Sequence, residues 1–311
     1  MDFDTESAER AATRKVMAAP LSPRRVGKLR FQASAIANEL LDSIFAESTP
    51  MHCMPTYAWP LPEQVASLHL GIPSEFIIPL NEMQRFLASG DVLAASNVTE
   101  FGRDSNGKMN GLTEFALDLI ATKKAQPGDD VLSELVQAQH GPDGLTDRQI
   151  LLTTLVLLMS ASGSTAVRIE TGIGLFSAHP EQYDAIIRDP RLIPSAVDEI
   201  MRMCNGIYDP TIRYARIDFK LRDSDIKEGD LVILDITSAH CDPRVFPEPL
   251  KFDITRRPNK QIGFGYGSTR CAGVALARLS LEAAFEALAL RCAELPFLPP
   301  SPPNDRPLAS W

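Results

Sequence analysis

Histidine and cysteine are both scarce in this chain, five of each among 311 residues, and that scarcity narrows the chemistry open to it. His52, His69, His140, His179 and His240 show no metal-ligand spacing, which argues against a centre built from protein ligands alone. Cys53, Cys204, Cys241, Cys271 and Cys292 are odd in number and widely spaced, with no Cys-x-x-Cys pair, so neither a disulfide scaffold nor an iron–sulfur domain is visible. No secretory leader is read at the start, and reduced thiols in the cytoplasm are the expectation. An excess of positive charge is missing too: 31 Lys and Arg face 40 Asp and Glu, a net charge of -9, and such a surface repels phosphate backbones. No nucleic-acid partner is expected. Aromatic residues make up only 7%, but 44% apolar and 23% charged content excludes disorder and suffices for a large core. Internal repeats and low-complexity linkers are absent, which predicts one domain across 1–311.

Helical periodicity fills most of the rest. Residues 1–48 carry Val26, Leu29, Ile36, Leu40, Leu41, Ile44 and Phe45 at mostly helical intervals, broken at Pro23, and a later helix through Val65, Leu68 and Leu70 stops at Gly71-Ile72-Pro73. Residues 74–125 read as further amphipathic helices, and Gly128-Asp129-Asp130 starts another that runs to about Gln139. Thr146 and Gln149 form a capping box ahead of the longest uncharged stretch, Gln149 to Val167. That stretch approaches the length of a bilayer span, but Thr153, Thr154, Ser160, Ser162, Ser164 and Thr165 make it polar for one. It reads as a central core helix, with no membrane span. From Ile212 to Leu221 and from Asp230 to Ile236 the pattern turns strand-like around a turn-rich Arg222 to Gly229. An alanine- and leucine-rich helix follows from Val274 to about Arg291, and six prolines between 296 and 307 predict an extended tail.

Chemistry concentrates in Phe264-Gly265-Tyr266-Gly267-Ser268-Thr269-Arg270-Cys271-Ala272-Gly273, where one cysteine stands just ahead of an apolar helix in a loop whose glycines permit unusual backbone angles. Backbone amides and the positive end of the next helix would favour a thiolate, as an iron ligand requires. By spacing alone, a buried structural cysteine in a glycine-rich loop fits equally. The order of residues resembles the haem-binding loop of the cytochrome P-450 family of haem-thiolate monooxygenases: Phe264, two residues, Gly267, three residues, Cys271, one residue, Gly273. Upstream, Glu199-Ile200-Met201-Arg202 resembles the family's Glu-x-x-Arg, a pair that braces the cysteine loop. Ser238 to Pro243 and Phe246 to Asp253 resemble the segment ahead of that loop. There Lys251 stands where the family's second arginine is expected to complete a triad with Glu199 and Arg202, keeping the charge but losing the guanidinium fork.

The resemblance implies a mostly α fold with a small β-sheet region, N-terminally truncated relative to the family, and a haem b (iron protoporphyrin IX) cofactor with Cys271 as axial iron ligand. Phe264, Gly265, Thr269 and Ala161 would line the haem, and Arg213 would pair with a propionate, as would Arg10 and Arg14, which share a helical face; a solvated basic face remains open for those two. Ala161-Ser162-Gly163-Ser164-Thr165 resembles the oxygen-binding kink, with Thr165 as the proton-relaying hydroxyl and Ser164 where the family carries an acid. A serine has no useful acidic pKa. Arg168 would meet substrate, a propionate or a structural acid. The resemblance begins at the family's third major helix, which implies either a fragment or a minimal form. It implies oxidation of a hydrophobic or natural-product small molecule with dioxygen, using electrons from a separate ferredoxin and reductase. Two alternatives stay open: peroxide-driven or rearrangement chemistry that spares the proton relay, and a non-catalytic helper of a biosynthetic enzyme. Residues from about Phe76 to Phe115 are expected to roof the pocket.

Overall fold

A computed structural model of the chain describes residues 8–47, 52–73, 108–140, 144–204 and 211–295. The proline tail, most of the expected pocket roof and Gly141 to Asp143 lie outside the described residues. The chain divides into two compact units: residues up to Glu170 together with those from Cys271 onward, and Thr171 to Arg270.

The first unit is helical. Its described elements are α1 (Ala8–Ala18), α2 (Pro23–Val26), α3 (Arg30–Phe45), α4 (Pro60–Leu70), α5 (Lys108–Ala125), α6 (Val131–Gln137), α7 (Asp147–Ser160), the first half of α8 (Gly163–Ala178) and α12 (Val274–Arg291). Local chemistry sets their ends. Ser22 caps α2 by accepting from the Arg25 N–H, with Pro23 at the first helical position where its missing N–H costs nothing. Gly71, at φ 76°, closes α4, as the sequence predicts. The capping box on α7 forms in full: the Thr146 hydroxyl accepts from Gln149 N–H while the Gln149 side chain accepts from Thr146 N–H.

Small and branched side chains let α3, α4 and α12 approach closely. Ala37 and Leu41, Leu61 and Val65, and Ala284 and Phe285 are all buried there, and the Tyr57 hydroxyl donates to the Ala284 carbonyl at 2.9 Å. A further apolar cluster joins Met17, Leu119, Leu132, Leu135, Ile150, Leu155 and Leu158. The stretch 147–178 has the length and apolarity to cross a membrane by composition alone. Ile150, Leu155 and Leu158 nonetheless belong to the buried cluster, in keeping with the core helix expected. The run breaks into two helices at Ala161 and Ser162, within the segment read as a kink, where the Ser162 carbonyl accepts from both Thr165 N–H (3.0 Å) and Ala166 N–H (2.9 Å).

The second unit holds the rest of α8, then α9 (Pro180–Arg188), α10 (Ile193–Met203), four strands and α11 (Ile236–His240). Strand β1 (Thr211–Tyr214) pairs antiparallel with β4 (Leu231–Leu234), Arg213 opposite Val232. Strands β2 (Phe219–Leu221) and β3 (Ser224–Ile226) form a separate hairpin. The sequence expectation placed β3 inside a turn; the turn is tighter, reversing at Arg222 with φ 53°, so that Ser224 to Ile226 can pair back. Ile236, expected to end a strand, begins α11 because the Asp235 carboxylate caps it through the Ser238 N–H at 2.9 Å. In this unit's core Phe176 packs tilted against Tyr183 and edge-on against Phe252, both at centroid spacings of 5.6 Å.

Candidate active site

Helix α10 is strongly amphipathic, and its buried face carries Ile193, Val197, Ile200 and, against the rule for charges, Glu199 and Arg202. Both charged side chains are fully enclosed. The Arg202 guanidinium meets Glu199 with two parallel bonds, Nε to Oε2 at 2.9 Å and Nη2 to Oε1 at 2.8 Å. Its other hydrogens go to the carbonyls of His240 (3.0 Å), Pro249 (2.6 Å) and Lys251 (3.2 Å). The Glu199 carboxylate also accepts from Asp253 N–H at 3.1 Å and Asn259 Nδ2 at 3.0 Å. Such saturation is what makes a buried ion pair tolerable.

The second cation on Glu199 is Arg256, not Lys251. The Arg256 Nε lies 3.1 Å from Oε1 and 3.2 Å from Oε2 of Glu199, whereas Lys251 is largely exposed and its Nζ is 3.9 Å from Glu248. Lys251 enters the network through its backbone, its carbonyl accepting from Arg202 and, at 3.1 Å, from Arg256. The sequence signal for Arg256 was present in Phe252-Asp253-Ile254-Thr255-Arg256, four residues beyond a buried phenylalanine. Charge type alone pointed to the nearer lysine.

Two struts tie α10 to the approach of the cysteine loop. Gln261 Nε2 donates to Asp198 at 3.0 Å while its Oε1 accepts from Gly263 N–H at 2.9 Å. His240, which sequence reasoning set aside for want of metal-ligand spacing, is buried between Arg202 and Ile262 and bonds both backbones. Gly263 passes so close to α10 that a Cβ there would stand 3.0 Å from Met201 Cε and 3.2 Å from its carbonyl oxygen. Beyond it, Phe264 is buried, and Gly265 and Gly267 sit at φ 74° and 71°, left-handed values that favour glycine. Arg213 Nη2 donates to Thr269 Oγ1 at 3.1 Å and Nη1 to the Ile212 carbonyl at 2.9 Å, leaving this cation without a carboxylate partner among the described residues.

In the first unit, Cys271 is an exposed thiol, free of any disulfide, ahead of α12. Gly273 offers it bare backbone, since a Cβ there would stand 3.8 Å from the sulfur. Thr165 and Ser162 are buried on and beside the first turn of α8, and Ser164 is exposed there, its carbonyl accepting from Arg168 Nη1 at 2.8 Å. Ala161 is half-buried at the break. Arg14 is half-buried on α1, and the side chain of Arg10 lies outside the described residues.

Comparison with known proteins gives this arrangement its family. The family model for cytochrome P-450 matches residues 187–296, which span the Glu199 network and Cys271. The chain is 32% identical over 285 residues to the mycinamicin IV hydroxylase/epoxidase of Micromonospora griseorubida, covering 91% of this chain and 70% of that protein. The chain is a cytochrome P-450. Pentalenolactone synthase of Streptomyces exfoliatus is 30% identical, with 94% of this chain and 72% of that protein covered. Among solved structures, the cytochrome P-450 PksS of the Bacillus subtilis bacillaene polyketide synthase superposes with a TM-score of 0.81 at 28% identity, over 91% of this chain and 71% of that one. A mutant of the mixed-function enzyme MycG bound to mycinamicin V gives 0.79 at 29% identity, over 92% and 72%. The expected mostly helical cytochrome P-450 fold with small sheets is therefore correct, and the protein is an oxidoreductase of a haem-using family.

The residues present fit haem. A haem carries its iron in the porphyrin and would need a single side chain from the protein as ligand. Cys271 is the exposed cysteine of the five, two residues ahead of Gly273, and in the second unit Arg213 has no carboxylate partner among the described residues.

Proposed function

We propose that this cytochrome P-450 is a haem-thiolate monooxygenase that oxidises a hydrophobic natural-product molecule with dioxygen, taking electrons from a separate ferredoxin and its reductase. The exposed Cys271 thiol at the head of α12, in a loop whose positive-φ glycines match the family's spacing, carries the reading. The substrate class is supported by relatives whose names specify oxidation of mycinamicin IV and 6-deoxyerythronolide B. A cytoplasmic location suits cysteines that form no disulfide.

Residue by residue, Cys271 would ligate the iron, Phe264, Gly265, Thr269 and Ala161 would line the haem, and Arg213, with Arg14 and Arg10, would hold its propionates. Bound haem supplies the redox chemistry that no side chain can. The chain's own contribution is orientation and proton handling. The enclosed Glu199–Arg202–Arg256 network fixes the segment leading to the cysteine loop. The Thr165 hydroxyl, buried on the first turn of α8, would hold a proton at Oγ1 and exchange it with water, with Ser164 Oγ extending that path.

Ser164 also favours a second reading, peroxide-driven oxidation, because no carboxylate at this position feeds protons to the site. The spectrum of the reduced, haem-supplemented protein under carbon monoxide tests the leading proposal. A red-shifted thiolate band that disappears in Cys271→Ala is expected; a band unchanged by that substitution overturns the ligand assignment.

A further inference from the structure

We infer that His240 is a positioning residue that holds the cysteine loop in register through one fixed tautomer, an inference that rests on the reading of Cys271 as the haem ligand. The imidazole is 2% exposed, at the end of α11. Its Nδ1 lies 3.0 Å from the Arg202 carbonyl oxygen, which can only accept, so Nδ1 carries the hydrogen. Its Nε2 lies 2.9 Å from the Ile262 backbone nitrogen, which can only donate, so Nε2 is bare. Each ring nitrogen thereby dictates the state of the other.

The consequence reaches the loop directly. The Ile262 carbonyl accepts from Gly265 N–H at 2.8 Å, closing the turn in which Gly265 takes its positive φ. A continuous hydrogen-bonded path therefore runs from the last turn of α10 through His240 to Ile262 and Gly265, six residues before Cys271. The ring is held from the side by Phe246, edge-on at 6.0 Å between centroids, and Arg202 lies over the same phenylalanine at 5.4 Å. Arg202 returns a bond to the His240 carbonyl at 3.0 Å, so the helix end and α11 grip each other through backbone and side chain alike. The Glu199 network anchors the same helix but contacts the chain only as far as Asn259; His240 and Gln261 carry that anchorage onward.

The experiment compares the haem-supplemented 311-residue protein with His240→Leu, which fills space without hydrogen bonds, and His240→Asn, which keeps one donor and one acceptor. Two readouts are taken: the share of haem giving the thiolate-type band under carbon monoxide, and hydrogen exchange at the amides of Ile262, Gly265 and α12. His240→Leu is expected to speed exchange at Ile262 and Gly265 about tenfold, the scale of one buried hydrogen bond, while α12 stays protected. The thiolate share should fall in His240→Leu and recover in large part in His240→Asn. Nitrogen NMR of the histidine-labelled wild type should show Nδ1 protonated and Nε2 bare. An Nε2–H tautomer, an unchanged band in His240→Leu, or protection lost equally from α12 in both variants overturns the inference. If wild type itself lacks a thiolate band, it is the ligand assignment that fails, and exchange at Ile262 still judges the clamp.

Discussion

Arg256 shares the Glu199 carboxylate with Arg202, its Nε equidistant within 0.1 Å from the two oxygens at 3.1 and 3.2 Å. A carboxylate with no solvent exposure thus faces two guanidinium groups, and Arg256 also donates to the carbonyls of Pro247, Glu248 and Lys251. Arg256→Leu leaves the Glu199–Arg202 pair but strips these acceptors of their partner, and is expected to cost about 2–3 kcal/mol of unfolding free energy and to impair haem retention. Lys251→Ala, at a position used only for its carbonyl, is expected to stay within about 0.5 kcal/mol of wild type. Urea denaturation of both variants checks the contrast.

Thiol chemistry separates the cysteines. Burial, with a further push from Glu170, raises the Cys53 thiol to about 12 against one backbone contact that lowers it, whereas Cys271 is exposed. Alkylation of haem-free protein at mild alkaline pH, followed by peptide mass spectrometry, should modify Cys271 first and Cys53 only on unfolding. Haem addition should protect Cys271.

His69 makes stability depend on acid. Burial holds its imidazole below the ordinary value, opposed by the Pro20 carbonyl and reinforced by Arg25. The unfolded chain therefore takes up a proton, as pH falls through the ordinary histidine range near about 6.5, that the folded chain refuses. Stability should drop over that window and flatten below the folded value. His69→Leu should remove this part of the slope, read from denaturation midpoints between pH 5 and 8 as roughly neutral conditions give way to mildly acidic ones.

Gly71 separates two helices by almost nothing. A Cβ there would meet Asp130 Cγ at 2.2 Å, and the residue holds φ 76°. Asp130 in turn caps α6 and pairs with Lys123 at 2.7 Å. Gly71→Ala is expected to destabilise by about 1–3 kcal/mol through overpacking and backbone strain together. Gly27→Ala, with nothing within 4 Å and ordinary φ, is the control in the same thermal melts.

Ser164→Asp tests the proton path. An acid in the first turn of α8 faces the positive end of the helix and should cost no stability. In the reconstituted monooxygenase it is expected to raise product formed per electron consumed and lower peroxide release; equal coupling in both proteins would count against a relay through this position.

Helix ends and the glycine-rich loop were legible in sequence because their causes are local. Ser22 with Pro23, Thr146 with Gln149, and Gly71 each act within a few residues, and the folded chain uses them as read. The order Phe264, Gly267, Cys271, Gly273 likewise carried its family in one dimension. Two things were decided only by tertiary structure. Arg256 outcompetes Lys251 because only its side chain is aimed inward, and His240 matters because two backbones distant in sequence converge on one ring. Hydrogen-bond direction and burial are properties of folded neighbours, and residue type alone contains neither.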